Sequence, residues 1–423
     1  IWTCSMYHNK FLKMKKYYFL FIIRYEINAS LFQSELFQHE EKVNKYLHLT
    51  LMKKLENIKL KYVALGGNIS CLKYAFCVAK RTNVHYRTLS NAAKSGSLTC
   101  LKYAHEVIKA TDVLKYTLCS AAESGSLACL KYAHNIIKAT DYYNYTLSYA
   151  ARSGSLACLK YAHNIIKATD NNLSLSYAAL SGSLACLKYS HEIIQANDNN
   201  YTLRYAASSG SFACLKYAHK VIQARDNNWT LCNAALSGSF DCLKYAHEVI
   251  KATDNNWTLY NAALSGSLAC LKYAHEVIQA IDVNLTLSYA AESGSLDCLK
   301  YAFNVIQAND DDNYTLSFAA LSGKISCLKY AFRIIQSTDN VHKNTLSSAS
   351  ESGSLDCLKY AHEVIGATDN NYTLCNAASS GSLDCLKYAH KVIQARDIYN
   401  EILYYAEKGG SLECIEYCKK HFV

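Results

Sequence analysis

A pattern of apolar and polar positions recurs every 28–30 residues along most of the chain. Thirteen glycines mark one position of it: Gly67, Gly96, Gly125, Gly154, Gly182, Gly210, Gly238, Gly266, Gly294, Gly323, Gly353, Gly381 and Gly410. In a typical unit, residues 254–280, the pattern predicts a short helix over residues 258–265 and a longer one over residues 268–280. Val277 lies on the predicted apolar side of the longer helix, and Lys272 lies on its opposite side.

The residues around each predicted helix end favour this interpretation. Thr258 is a suitable N-cap for the first helix, with Trp257 before it as a hydrophobic staple. Gly266 suits the left-handed conformation that ends a helix, and Ser267 can cap the second helix. Helices of this length are marginal in isolation, so each unit must bury its apolar side against its neighbours.

The fold class predicted is therefore all-α, a helix-turn-helix repeat solenoid of about 13 repeats. We expect residues 1–55 to be an N-terminal segment of uncertain order with short helices, and residues 56–423 to form the repeat array. A polar C-terminal cap is expected over about residues 401–423, where Glu416, Cys418 and Lys419 replace the repeated Lys, Ala and His. The apolar run at residues 17–23 is too short for a membrane span. Because Arg24 stops it and no small-residue cleavage site follows, we expect a packed or frayed terminal segment in preference to a targeting signal.

The excess of basic over acidic residues lies at the N-terminal end of the chain. Residues 1–100 hold 16 Lys and Arg against 5 Asp and Glu, whereas the other 323 residues hold 28 against 29. The bulk of the protein, residues 101–423, is thus nearly neutral, which argues against binding to nucleic acid or to a membrane surface. The basic end can contact an acidic surface, but a solvated charged end is the simpler interpretation.

Cysteine and histidine recur together without a pattern that predicts chemistry. Of 19 Cys, 13 fall at one repeat position, where the spacing between stacked helices is too large for disulfides. We expect them to be buried thiols in a reducing compartment. Cys270 and His275 point about 140° apart around one helix, so they cannot share a metal ion. No cofactor is expected, and no catalytic motif is found.

Residues 201–219, YTLRYAASSGSFACLKYAH, resemble the ankyrin repeat, whose core reads T-P-L-H-x-A-A-x-x-G-H-x-E-x-V-K-L-L. The Ala-Ala pair, Gly210 and Lys216 align with it. The Cys-Leu-Lys-Tyr-Ala-His variant is similar to repeats of giant DNA viruses and protists. The units are shorter than the usual 33 residues, so we expect shortened or absent hairpin fingers. An ankyrin-like relative with a plain helical stack remains possible.

The resemblance implies a non-catalytic scaffold that binds an unidentified protein. We expect a monomer in the cytoplasm, of the host cell if the source is viral, that takes no small-molecule substrate. The candidate partner-binding residues occupy variable repeat positions: Leu180, Tyr201, Arg204, Trp229, Leu236, Trp257, Tyr260, Leu264 and Leu321. Alternatively, the leucines pack on the adjoining repeat and the aromatics are only staples. A structural or spacer protein without a dedicated partner, for example in a virion, is the alternative function.

Overall fold

The computed structural model describes most of the chain after residue 59. The described ranges are 60–78, 87–110, 114–139, 145–169, 173–197, 200–225, 229–253, 257–280, 285–309, 314–335, 344–368, 372–396, 401–409 and 411–422. All regular secondary structure in these ranges is helical. The predicted segment of residues 1–55, and most residues at the expected finger positions, lie outside the described residues. The chain divides into two compact units, Ile1–Thr202 and Leu203–Val423.

The first unit contains five described helix pairs. They are α1 (Leu60–Gly66) with α2 (Ile69–Val78), α3 (Thr88–Lys94) with α4 (Leu98–Glu106), α5 (Leu114–Glu123) with α6 (Leu127–Asn135), α7 (Thr146–Arg152) with α8 (Leu156–Tyr161), and α9 (Ser174–Leu180) with α10 (Leu184–Glu192). A π-helical turn, Ala162–Ile166, continues α8.

The second unit contains eight described pairs, of which the first begins at the last residue of the preceding unit. They are α11 (Thr202–Ser208) with α12 (Phe212–Lys220), α13 (Thr230–Leu236) with α14 (Phe240–Glu248), α15 (Thr258–Leu264) with α16 (Leu268–Glu276), α17 (Thr286–Glu292) with α18 (Leu296–Asn304), α19 (Thr315–Leu321) with α20 (Ile325–Ile334), α21 (Thr345–Glu351) with α22 (Leu355–Glu363), α23 (Thr373–Ser380) with α24 (Leu383–Lys391), and α25 (Ile402–Gly409) with α26 (Leu412–His421). The prediction of an all-α helical repeat solenoid is confirmed.

The Ser-Gly-Ser segment makes the turn between the two helices of a pair. Ser265 donates its hydroxyl to the Ala262 carbonyl at 2.7 Å, and its Oγ accepts from the Ser267 backbone N–H at 3.1 Å. Ser267 then caps α16 by accepting from the Cys270 N–H at 3.4 Å, as predicted. Gly266 lies between them at φ 73°, the left-handed conformation expected for it.

Thr258 does not cap the first helix, so that prediction was wrong. The residue at the cap position of α15 is Trp257, whose side chain makes no capping hydrogen bond. Thr258 is instead the first helical residue and is fully buried. Its Oγ1 has no hydrogen-bond partner among the described residues. Thr258 lies on the buried side of α15 with Leu259 and Ala262, so its side chain lies in the interior of the stack and not at a capping position.

The second helix is shorter than predicted. α16 ends at Glu276, and Gln279 takes a left-handed conformation at φ 56°. The Ala280 N–H bonds back to the Ala274 carbonyl at 3.1 Å, which closes the helix end. Val277, predicted on the apolar side, is therefore 50% exposed. Equivalent Val and Ile residues are exposed at the ends of most other second helices.

The first helices pack through small residues, and the second helices pack through large ones. First helices of neighbouring repeats pack closely, because their Ala-Ala pairs, such as Ala262 and Ala263, are fully buried and bring no bulk. Neighbouring second helices approach each other at fewer points, and tyrosines such as Tyr273 fill the space between them. The core of each unit consists of these layers together with buried Leu and Cys residues.

The last pair fits closely against the pair before it. A Cβ added at Gly409 would lie 2.5 Å from the Ser379 carbonyl oxygen, so α25 has no room for a side chain there. In the segment predicted as a cap, Glu416 is exposed, Lys419 is partly exposed and Cys418 is fully buried.

Candidate functional site

The first helices of the second unit present one side that the stack does not fully cover. On α15 this side consists of Trp257, Asn261 and Leu264, which are four and three residues apart and so lie in line along the helix. Trp257 is exposed, Leu264 is half-buried and Asn261 is mostly buried. We call the side formed by these three positions the first-helix face.

Aromatic rings follow one another across this face from repeat to repeat. Trp229 and Trp257 are in contact edge to face, with their ring centroids 4.7 Å apart. The ring centroids of Trp257 and Tyr260 lie 6.0 Å apart. Tyr260 stacks on Tyr289 of the next repeat, with their ring centroids 5.1 Å apart. Such pairs stabilise the stack, since aromatic contacts contribute about 0.5–1.5 kcal/mol beyond burial.

The aromatic contacts continue to α19. Tyr289 lies 6.0 Å from Phe318, and Phe318 stacks on Tyr314 at 5.5 Å. We call the set from Trp229 to Phe318 the aromatic series. At its other end the Arg204 guanidinium lies 5.9 Å from the Trp229 ring centroid, a cation–π distance.

The structure thus brings four predicted residues together, namely Arg204, Trp229, Trp257 and Tyr260. The predicted leucines of this unit lie at the far ends of the first helices and are half-buried: Leu236, Leu264 and Leu321. In the first unit, Leu180 is half-buried at the end of α9, and Tyr201 is 43% exposed just before α11.

Sequence reasoning missed Tyr289, Phe318 and Tyr314. Tyr289 and Phe318 lie three residues after the helix-starting Thr, where a comparison of repeats shows Asn233 and Asn261 in the two preceding first helices. This change from asparagine to an aromatic residue was the sequence signal that could have identified Tyr289 and Phe318.

The charge on the first-helix face differs along the chain. The described first helices from α13 to α21 contain Glu292 and Glu351 but no Lys or Arg. In the first unit, Lys94 forms an ion pair with Glu123 at 3.0 Å, and the Arg152 guanidinium lies 5.6 Å from the Tyr177 ring centroid. The apolar, anionic section of the face is therefore confined to the second unit among the described residues.

The repeated Lys-Tyr-Ala-His-Glu residues join successive second helices. The Tyr301 hydroxyl of α18 donates to Glu276 Oε1 at 2.6 Å, and its oxygen lies 3.1 Å from His275 Nδ1. Because the hydroxyl proton is used on Glu276, His275 Nδ1 must carry the proton and donate to the Tyr301 oxygen. The Lys272 ammonium lies 5.6 Å from the Tyr301 ring centroid. We call this arrangement the tyrosine bridge.

The tyrosine bridge recurs in both units. The His–Tyr contact is present at His105–Tyr132, His134–Tyr161, His163–Tyr189, His219–Tyr245, His247–Tyr273, His275–Tyr301, His362–Tyr388 and His390–Tyr417. Burial, followed by the hydrogen bond to Glu248 and its charge, raises the pKa of Tyr273 from 10.0 to about 12. The repeated histidine therefore has a structural partner in these repeats.

The cysteine column lies in the core. Cys270 is fully buried, and the other cysteines whose side chains the structure describes are also buried and form no disulfide. Burial raises the pKa of the Cys270 thiol, and the hydrogen bond with Ser267 acts in the opposite direction. A raised pKa keeps the thiol protonated and unreactive. The described residues contain no cluster of three or more His, Cys, Asp or Glu side chains arranged to hold a metal ion.

Comparison with known proteins adds no assignment. No protein-family model matches the chain, and a comparison with curated proteins finds no match. Within the described part of the chain, no helix is both long and apolar enough to cross a bilayer.

Proposed function

We propose that this protein is a non-catalytic, ankyrin-like scaffold that binds another protein through the first-helix face of its second unit. The observation that carries the proposal is the aromatic series, in which Trp257 stays 39% exposed although its ring contacts Trp229 and Tyr260. Exposed tryptophan and tyrosine clusters are typical of the centres of protein interfaces. The bordering leucines Leu236 and Leu264 add apolar area.

The proposal includes neither catalysis nor a cofactor, a nucleic acid, a membrane or a small-molecule substrate. Each repeated polar side chain has equivalents along the array, whereas catalysis needs one asymmetric constellation. The repeated His and Tyr are already used by the tyrosine bridge, as at His275 and Tyr301. We further propose a monomer in the cytoplasm, where the buried thiols of the cysteine column stay reduced.

The test is capture of proteins from cell lysate by the immobilised full-length chain, quantified by mass spectrometry. We expect one protein in stoichiometric amount with the wild type and its loss with the variant Leu236→Ser/Leu264→Ser. Val277→Ser is the control, because Val277 is 50% exposed on a second helix, away from the first-helix face.

Thermal melting of the same variants separates binding from packing. An unchanged melting temperature with lost capture supports the proposal. A large fall in melting temperature assigns the leucines to packing, and stoichiometric capture that survives both substitutions contradicts the proposed surface.

A structural or spacer protein is the second candidate, and the recurrence of the His–Tyr contact along the array favours it. A spacer has no need of a diversified surface. Failure of the wild-type chain to capture any stoichiometric protein, together with unchanged melting of the leucine variant, would support the spacer.

A further inference from the structure

The helix α20 lacks the N-cap that the other described second helices of the second unit share. Those helices begin after a serine whose side chain accepts the backbone N–H of the following cysteine, as Ser267 does for α16. Before α20 this position is Lys324, whose side chain makes no capping hydrogen bond. Loss of a serine cap lowers the ratio of folded to unfolded helix about fivefold. The start of α20 is therefore less stable than that of its neighbours.

The contact between α20 and the next second helix, α22, lacks the hydrogen bonds of the tyrosine bridge. Phe332 and Arg333 stand where other repeats have His and Glu. Tyr360 of α22 keeps only ring contacts with α20, edge to face with Phe332 at 6.2 Å between centroids and 5.6 Å from the Lys329 ammonium. Phenylalanine cannot hydrogen-bond the Tyr360 hydroxyl, and the Arg333 guanidinium lies over the ring of Tyr330, 5.0 Å from its centroid.

On its other side, α20 is joined to α18 by a single hydrogen bond of this kind. Phe303 replaces His there, and Asn304 Nδ2 donates to the Tyr330 hydroxyl oxygen at 3.2 Å. Among the described residues, α16 makes four such bonds to α14 and α18, whereas α20 makes one to α18 and none to α22. Each neutral hydrogen bond shifts an opening equilibrium about fivefold.

These deficits fall on one helix. In a repeat array, the stability of a helix pair depends on the pair itself and on its contacts with the two neighbours. The flanking helices α18 and α22 each keep one complete bridge, with α16 and with α24. Local opening is most frequent where stabilising contacts are fewest, which in this unit is α20.

We propose that α20 is the local opening point of the second unit, a helix that unfolds and refolds while the flanking helix pairs stay folded. Opening exposes Cys327, Leu328 and Tyr330, which are buried in the closed state. α20 packs against α19, which carries Phe318 at the end of the aromatic series. Each opening therefore removes the support behind that end of the first-helix face.

The cysteine column provides a reporter in each second helix for the experiment. The full-length chain is treated with iodoacetamide under native conditions, and mass spectrometry measures the labelling rate of each cysteine. Cys327 and Cys270 are both fully buried, and burial raises the pKa of both thiols, so a difference in rate reports opening. We expect Cys327 to be labelled at least about tenfold faster than Cys270.

Two variants restore what α20 lacks. Lys324→Ser supplies the cap, and Phe332→His/Arg333→Glu supplies the hydrogen-bonding groups of a bridge to α22. Each should slow the labelling of Cys327 about fivefold. Each should leave the labelling of Cys270 within about twofold, because the sites are distant.

Ser267→Lys is the matched converse. It removes the cap of α16 and gives that helix the residue found before α20. We expect it to speed the labelling of Cys270 about fivefold and to leave Cys327 within about twofold. Hydrogen exchange of the backbone amides of α20 and α16 in the wild type is a second measurement that needs no variant.

Three results would overturn the proposal. They are labelling of Cys327 no faster than that of Cys270, faster labelling of Cys327 that neither repair slows, and amide protection in α20 equal to that in α16. The proposed binding of a partner is tested separately by lysate capture, so either proposal can fail while the other stands.

Discussion

Replacing Tyr301 by Phe removes a single oxygen from the contact between α16 and α18. That oxygen accepts from His275 Nδ1 at 3.1 Å and its hydroxyl donates to Glu276 Oε1 at 2.6 Å. A neutral hydrogen bond contributes about 1 kcal/mol net and one to a charged group about 1.5–3 kcal/mol. Because Glu276 is exposed, solvent screens its share, and we expect a loss of about 2 kcal/mol.

Tyr330 supplies the matched control within the same unit. The repeat before it has Phe303 in place of His, and the Tyr330 hydroxyl oxygen accepts from Asn304 Nδ2 at 3.2 Å. Tyr330→Phe should therefore cost about 0.5–1 kcal/mol, since one neutral hydrogen bond is lost. In a His275→Phe background, the cost of Tyr301→Phe should fall toward that value, because the two residues share one interaction.

The assay is urea unfolding followed by far-ultraviolet circular dichroism, with hydrogen exchange of α16 and α18 to detect partial unfolding of the stack. Equal losses for Tyr301→Phe and Tyr330→Phe would show that the bonds of Tyr301 to His275 and Glu276 contribute no more than the single bond of Tyr330 to Asn304. Additivity of His275→Phe and Tyr301→Phe would refute the direct bond between these residues.

Three further predictions concern the raised pKa of Tyr273, the C-terminal end of α16 and the start of α15. The raised pKa of Tyr273 means that the unfolded state loses its proton first, so stability should decline as pH rises from 10.0 to about 12, measured by urea midpoints. Gln279→Gly should stabilise the chain by roughly 1 kcal/mol and Gly366→Gln should destabilise it by a similar amount, because both positions are left-handed. Thr258→Val should raise stability by about 0.5–1 kcal/mol, whereas Thr315→Val should lower it, both measured by thermal melting.

The controls follow from the contacts. A Cβ at Gly366 would meet no atom within 4 Å, so any loss there is due to the backbone. Thr315 Oγ1 is 3.2 Å from Ser288 Oγ, whereas Thr258 Oγ1 has no partner among the described residues. A pH profile that Tyr273→Phe leaves unchanged, a Gly366→Gln variant as stable as the wild type, or equal effects of the two Thr substitutions would contradict the respective argument.

Local chemistry explains which parts of the fold were predictable. Ser267 and Gly266 determine the turn through their own hydrogen bonds and conformation, so the sequence within one repeat is sufficient. The end of α16 was not predictable in this way, because Gln279 adopts a left-handed conformation that sequence rules reserve for Gly. Thr258 was misassigned because a residue that favours cap positions here faces the interior.

The candidate site was only partly predictable because it is formed between repeats. Variable positions pointed to Arg204, Trp229 and Trp257, which do come together. The stacking of Tyr260 on Tyr289 depends on how neighbouring first helices lie against each other, which repeat spacing alone does not give.

The tyrosine bridge also bears on how such a chain changes in length over generations. Each bridge joins residues 25 to 27 positions apart, so its contacts link a repeat only to its immediate neighbours. A duplicated segment inserted between two others therefore meets complementary groups on both sides, and an excised one leaves two compatible ends. Unequal recombination within the gene can thus add or delete whole modules while most joints keep the histidine–tyrosine contact.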